Sequence, residues 1–167
     1  MSKIWENIFR KKRNADSIEE ILVKIPIFQD LTPRELKTIK SILYQREYKT
    51  NEFIFKEGDA GLGMYIIFNG KVIITCGNDK QTLAELEEGD FFGELSLLDE
   101  SPRSASAVAK TPCILLCFFK PELLDIIERN PKLGCKIIFK LAWTIGERLK
   151  STNEQLKALN CQSRKSE

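Results

Sequence analysis

The sequence contains no histidine among its 167 residues. Without imidazole, a jelly-roll metalloenzyme of the histidine-ligated kind is excluded, as is the side chain most used for proton transfer near neutral pH. A Gly-x-Ser-x-Gly nucleophile elbow is also missing, so neither general acid-base nor nucleophilic catalysis finds a constellation of residues. Glutamate and aspartate alone are not catalytic evidence, and the chain reads as a non-enzyme. No two cysteines form a Cys-x-x-Cys pair; Cys76, Cys113, Cys117, Cys135 and Cys161 are odd in number and scattered, which fits a reducing compartment better than a disulfide framework. Cys113 and Cys117 fall in an apolar strand and are expected to be small core residues rather than metal ligands, and no metal is expected.

Long apolar runs are absent too. No stretch approaches the ~18 apolar residues of a membrane span, the N-terminus has no signal-peptide core, and residue 2 is serine rather than the glycine that myristoylation requires. A cytoplasmic protein is expected. An excess of one charge is also lacking: 26 basic against 24 acidic residues leave a net charge of +2, which names no polyanionic partner. The one basic run, Arg10 to Arg13, follows a helical stripe of Ile4, Trp5, Ile8 and Phe9. That stripe could rest on an anionic membrane surface; packing on its own domain or on a sister chain, with the basic run as a solvated linker, is the preferred reading.

What is present divides into three parts: a basic amphipathic extension over 1–16, a domain over 17–150, and a helical extension with a polar tail over 151–167. Ser17 and Glu20 form a capping box for a helix through Ile21, Leu22 and Ile25 that Pro26 ends. Thr32, Pro33 and Glu35 supply the cap, first-turn proline and capping-box acid of a second helix, with Leu36, Ile39, Ile42 and Leu43 inward. From Arg46 the spacing alternates and β-branched or aromatic residues dominate. Met64 to Phe68 and Lys71 to Thr75 flank Asn69-Gly70, which predicts a hairpin. Gln81 to Leu86, Ser106 to Ala109 and Cys113 to Phe119 are further strands, and short strands at this spacing predict a sandwich or jelly-roll barrel with helices at both ends.

The stretch from Gly89 to Ala109 carries the chemistry. Gly93 allows close backbone approach, Glu94 to Leu98 is long enough for one helical turn whose free amides attract an anion, and Arg103 after the Pro102 turn offers a planar fork for two oxygens of one phosphate. Glu94, Asp99 and Glu100 would repel a long polyanion, so the ligand is a small phosphate with hydroxyls for Glu94 to accept from. Phe92-Gly-Glu-Leu-Ser-Leu-Leu followed by Pro102-Arg-Ser-Ala-Ser resembles the phosphate-binding cassette of the cyclic nucleotide-binding domain family, found in kinase regulatory subunits, gated channels and catabolite-activator-type regulators. The loop Asp99-Glu100-Ser101 departs from it in lacking a glycine. The resemblance implies a cyclic mononucleotide ligand, cyclic AMP preferred over cyclic GMP, contacted by Phe92, Gly93, Glu94, Leu95, Ser96, Pro102, Arg103, Ser104 and Ala105. It implies that Arg103 holds the cyclic phosphate, that Glu94 accepts from the ribose 2'-hydroxyl, that the amides of Gly93, Leu95 and Ala105 line the pocket, and that Ser104 donates to phosphate or base.

Pro121 to Arg129 reads as a short helix, and Asn130 with Pro131 starts another. In the latter, Ile138, Ala142, Ile145, Leu149, Thr152, Leu156 and Leu159 recur at alternating spacings of four and three, the pattern of a helix that pairs with another; Ile137, Leu141 and Trp143 widen the apolar surface of its first turns toward the core. A homodimer through this helix is expected. Lys140, Trp143 and Arg148 place it near where a base would lie if it acts as a lid. A catabolite-activator-type regulator continues into a helix-turn-helix of several tens of residues, whereas here eight residues follow Leu159, so no DNA-binding module is expected in this chain; it is either a whole protein acting through an effector protein, the preferred reading, or a piece of a longer one that carries the output domain. The alternative function is a ligand-free scaffold of the same fold that presents its helices to a protein or a membrane surface.

Overall fold

The computed structural model describes residues 18–77 and 81–163, with side chains to residue 158. The stripe of Ile4 to Phe9, the Ser17 cap and the Leu159 side chain lie outside the described residues. Helix α1 covers residues 18–24, and α2 covers Pro33–Ile42. Strands follow as β1 Tyr44–Tyr48, β2 Phe53–Phe55, β3 Gly63–Asn69, β4 Val72–Cys76, β5 Gln81–Leu86 and β6 Phe91–Phe92. After a 3-10 turn at Glu94–Leu97 come β7 Ser106–Ala109, β8 Cys113–Phe119, α3 Lys120–Arg129 and α4 Pro131–Ser163. Helix α1 stops before Ile25 because that residue precedes Pro26, whose ring disfavours helical backbone one residue upstream.

The strands form two antiparallel four-stranded sheets, ordered β1-β8-β3-β6 and β2-β7-β4-β5. This is the expected barrel with helices at both ends. One sheet is covered on both faces, and the two-residue period of its strands sorts its side chains. Met64, Ile66, Phe91, Leu116 and Phe118 join a core with α1, α2, α3 and α4, whereas Tyr65, Ile67, Phe92, Leu115 and Cys117 point into the barrel with Val72, Ala107 and Ala109. Cys113 and Cys117 are buried in this second core.

The Asn69-Gly70 hairpin does not form. Strand β3 pairs with β8 and β6, and β4 pairs with β5 and β7, so the two segments belong to different sheets. Only Gly70 adopts a positive φ, +100°, whereas a type I′ hairpin needs it at both central residues. A Cβ at Gly70 would lie 2.5 Å from the Pro112 carbonyl, so the glycine permits a tight corner between sheets.

Thr32 and Glu35 do form a reciprocal capping box, and Glu35 also receives Lys136 of α4 at 2.8 Å. Lys140 of α4 meets Asp30 at 2.6 Å. With Leu133, Ile137 and Leu141 buried, the first turns of α4 pack on the domain. Trp143 does not widen that packing face and is half exposed. Ile138 and Ile145, expected in the outward stripe, instead pack partly buried against the core, and Leu149 and Leu156 stand exposed. The outward apolar positions are therefore Phe139, Ala142, Trp143, Leu149 and Leu156, of which Ala142, Leu149 and Leu156 belong to the spacing-based stripe.

Candidate functional site

A cavity of about 470 Å³ opens between the second sheet and the stretch from Phe91 to Ala105, a size in the range of small-molecule sites. Phe92, Gly93, Glu94, Leu95, Ser96, Pro102, Arg103, Ser104 and Ala105 all line it. Sequence reasoning missed the opposite wall of Phe55, Ile74, Ala84 and Leu86, contributed by β2, β4 and β5. The signal for it lay only in strand alternation, because which strands share a face follows from sheet order rather than local pattern.

Arg103 is 6% exposed and sits at the floor. Nη1 donates to the Gly93 carbonyl at 3.1 Å and to Ser96 Oγ at 2.7 Å, and Nη2 donates to the Gly63 carbonyl at 2.7 Å. Its guanidinium carbon lies 4.2 Å from the Phe55 ring centroid, over an aromatic group in which Tyr65 and Phe92 stack at 5.5 Å. Its backbone is held as well: Arg103 N–H donates to the Asp59 carbonyl and Gly58 N–H to the Arg103 carbonyl, both at 2.8 Å. Burial draws the guanidinium pKa below its ordinary value, while Tyr65, Asp59 and Glu94 push the other way. An arginine starts so far above neutrality that the group keeps its charge at neutral pH. Nε is buried without a hydrogen-bond partner among the described residues. An unmet donor beside a buried cation is the feature an anionic oxygen would satisfy.

Gly93 closes this arrangement. Its φ of +74° starts the 3-10 turn, and a Cβ there would fall 2.6 Å from Arg103 Nη1. The glycine thus makes room for the arginine while its backbone stays on the cavity wall.

Glu94 is 7% exposed, and its Oε1 lies 2.7 Å from Arg148 Nη1 of α4. Arg148 Nη2 donates to the Phe91 carbonyl at 2.9 Å, with the guanidinium 4.5 Å from the Phe91 ring centroid. Of the three α4 residues expected near a base, Arg148 lines the cavity, whereas Lys140 pairs with Asp30 and lies near the Trp143 ring. Among the described residues, no group of three or more histidine, cysteine, aspartate or glutamate side chains is arranged to hold a metal ion.

A helix-flanked β-roll with a buried arginine and glutamate on one cavity of small-molecule size defines a class of ligand-binding domain. The family described as cyclic nucleotide-binding domain matches residues 45–130, and the chain belongs to it. The chain is 37% identical over 138 residues to a cyclic AMP receptor protein of Thermus thermophilus, covering 81% of this chain and 62% of that one. It is 37% identical over 108 residues to a cAMP-dependent protein kinase regulatory subunit of Colletotrichum orbiculare, covering 65% of this chain and 27% of that one. A crystal structure of a cyclic nucleotide-binding domain from Methylobacillus flagellatus superposes with a TM-score of 0.74 at 29% identity, covering 86% of this chain and 82% of that one. The chain is thus a domain of the kind these regulatory proteins carry, and it spans under two thirds of the length of the two full-length relatives. No helix among the described residues is long and apolar enough to cross a membrane.

Proposed function

We propose that this domain binds a cyclic mononucleotide, cyclic AMP in preference to cyclic GMP, and reports occupancy through α4 to an effector protein in the cytoplasm. The carrying observation is the buried, ion-ready Arg103 with its unpartnered Nε, on a cavity lined by Phe92 to Ser96 and Pro102 to Ala105 of the cassette. In this reading the phosphate takes the remaining guanidinium donors, with the nearby amides of Gly93, Leu95 and Ala105 and the Ser104 hydroxyl completing its shell. The ribose 2'-hydroxyl donates to Glu94, whose other partner is Arg148 of α4. A ligand that shares Glu94 changes the hold on α4, which links occupancy to helix position. The preference for cyclic AMP draws on what the two full-length relatives are named for. The domain acts by binding and not by catalysis, and α4 pairs it with a second copy.

Isothermal calorimetry with cyclic AMP and cyclic GMP tests the reading. Saturable one-to-one binding is expected, tighter for cyclic AMP. No heat and no spectral change with either nucleotide at ~1 mM would refute it, since a Kd beyond that corresponds to only about 4 kcal/mol.

A further inference from the structure

We infer that Ser96 is a positioning residue for Arg103: its buried hydroxyl fixes the plane of the guanidinium and thereby selects the N–H groups left for an anionic oxygen. The inference rests on the cyclic nucleotide reading of the cavity and adds a residue through which affinity is set.

A guanidinium has five N–H donors in one plane. Both hydrogens of Arg103 Nη1 are engaged, by Ser96 Oγ and the Gly93 carbonyl, and one of Nη2 is engaged by the Gly63 carbonyl. The Nε–H and one Nη2 hydrogen remain, a pair able to grip two oxygens of one phosphate. Two of the three acceptors are backbone carbonyls that no substitution removes. Ser96 is the acceptor among these three that a side chain supplies, and the Tyr65 hydroxyl is a further side-chain partner of the guanidinium.

The hydroxyl is held on the arginine side. Ser96 is 4% exposed, and a Cβ on Gly61 would collide with its Oγ, so the backbone at Gly61 walls the hydroxyl in from behind. The bond to Arg103 is the one hydrogen bond of the Ser96 side chain among the described residues. Without it, Nη1 loses its shorter partner, and the plane is held only by the two carbonyl bonds and the Phe55 ring, a looser hold. The fork is then no longer prearranged, and the cost of arranging it falls on binding.

Calorimetry with cyclic AMP on the parent, Ser96→Ala, Arg103→Ala and the double variant tests this. Ser96→Ala should bind about tenfold more weakly than the parent. In the Arg103→Ala background, followed by NMR at millimolar nucleotide, the same change should alter affinity less than about twofold, because contacting residues couple and independent ones add. Unchanged affinity of Ser96→Ala overturns the inference. Equal losses in both backgrounds overturn it too, since the hydroxyl would then act on the ligand or the fold directly. Gly61→Ala reaches the same hydroxyl from outside the cavity and covers the case in which Ser96→Ala does not fold. It should weaken cyclic AMP by a similar factor, and parent-like binding would count against Ser96. A parent that binds no cyclic nucleotide overturns the pocket reading itself, which its own titration reveals before any variant is compared.

Discussion

Arg103 has two duties that a substitution separates. It closes a set of carbonyls at Gly63 and Gly93, and it offers the remaining donors to the cavity. Arg103→Ala should therefore weaken cyclic AMP by about thirtyfold or more, the loss of a buried charge partner, and should also lower the unfolding midpoint because those acceptors lose their donor. A folded variant with parent affinity in calorimetry would remove Arg103 from the phosphate. Glu94→Gln tests the ribose assignment differently. It should weaken cyclic AMP by about tenfold or more while leaving the 2'-deoxy analogue nearly unaffected, since only the former has the hydroxyl that donates to the carboxylate. Equal losses for the two ligands would argue against it. Inside the barrel, burial pushes the Cys117 thiol up to about 11 from an ordinary 9.0. The folded state thus holds its proton more tightly than the unfolded state. Its contribution to stability is fully present below about pH 9 and is lost between about 9 and 11, at up to about 1.4 kcal/mol per pH unit. Urea melts across that range should show the parent losing stability relative to Cys117→Ala; parallel curves would mean that Cys117 is not so buried.

At the scale of elements, α4 is two helices in one. Its first turns are fixed by Leu133, Ile137 and Leu141 in the core and by Lys136 and Lys140 at the surface, where exposed ion pairs contribute little. Beyond Ile145, which still packs against the core, Arg148 ties the helix to the domain, to buried Glu94 and to the Phe91 carbonyl. Arg148→Ala should speed amide exchange over residues 146–158 by about fivefold, roughly 1 kcal/mol once the half-exposed arginine is discounted, and leave residues 133–141 unchanged. Uniform exchange along the whole helix would deny the division. The elements themselves were legible to different depths. Thr32-Pro33-Glu35 announced its helix because capping is local chemistry, and the cassette announced its cavity because Gly93, Glu94 and Arg103 lie within one short segment. Asn69-Gly70 misled because a turn motif says nothing about which strand lies beside β3, and both neighbours of β3 come from far along the chain. The same limit hid Phe55, Ile74, Ala84 and Leu86 as a wall. Arg148 was legible as a residue near the cavity but not as the partner of Glu94, which depends on where α4 crosses the barrel.

For the molecule as a whole, the exposed side of α4 sets the question of a second copy. Phe139, Leu149 and Leu156 are 71%, 60% and 52% exposed, whereas Ile138 and Ile145 have turned inward onto the core. Asn153 stands between Leu149 and Leu156 at the spacing of a seam position, where a polar residue fixes register between paired helices. A carboxylate in such a seam meets its own copy where neither is solvated, so Leu149→Glu should dissociate the pair. Because Leu149 touches water in the single chain, the same change should leave the unfolding midpoint within about 0.5 kcal/mol of the parent when compared as monomers. Cyclic AMP should still bind, since the cavity is built by the β-roll and Arg148 rather than by Leu149. Sedimentation of the parent and the variant, with and without cyclic AMP, reads the outcome directly. A dimeric parent and a folded, monomeric variant are expected. A parent that is monomeric at roughly tens of micromolar in both states would end the dimer, because micromolar affinity is about the least a working pair requires. A variant that precipitates would show that Leu149 packs on the domain in solution, and the boundary placed after Ile145 would then be wrong.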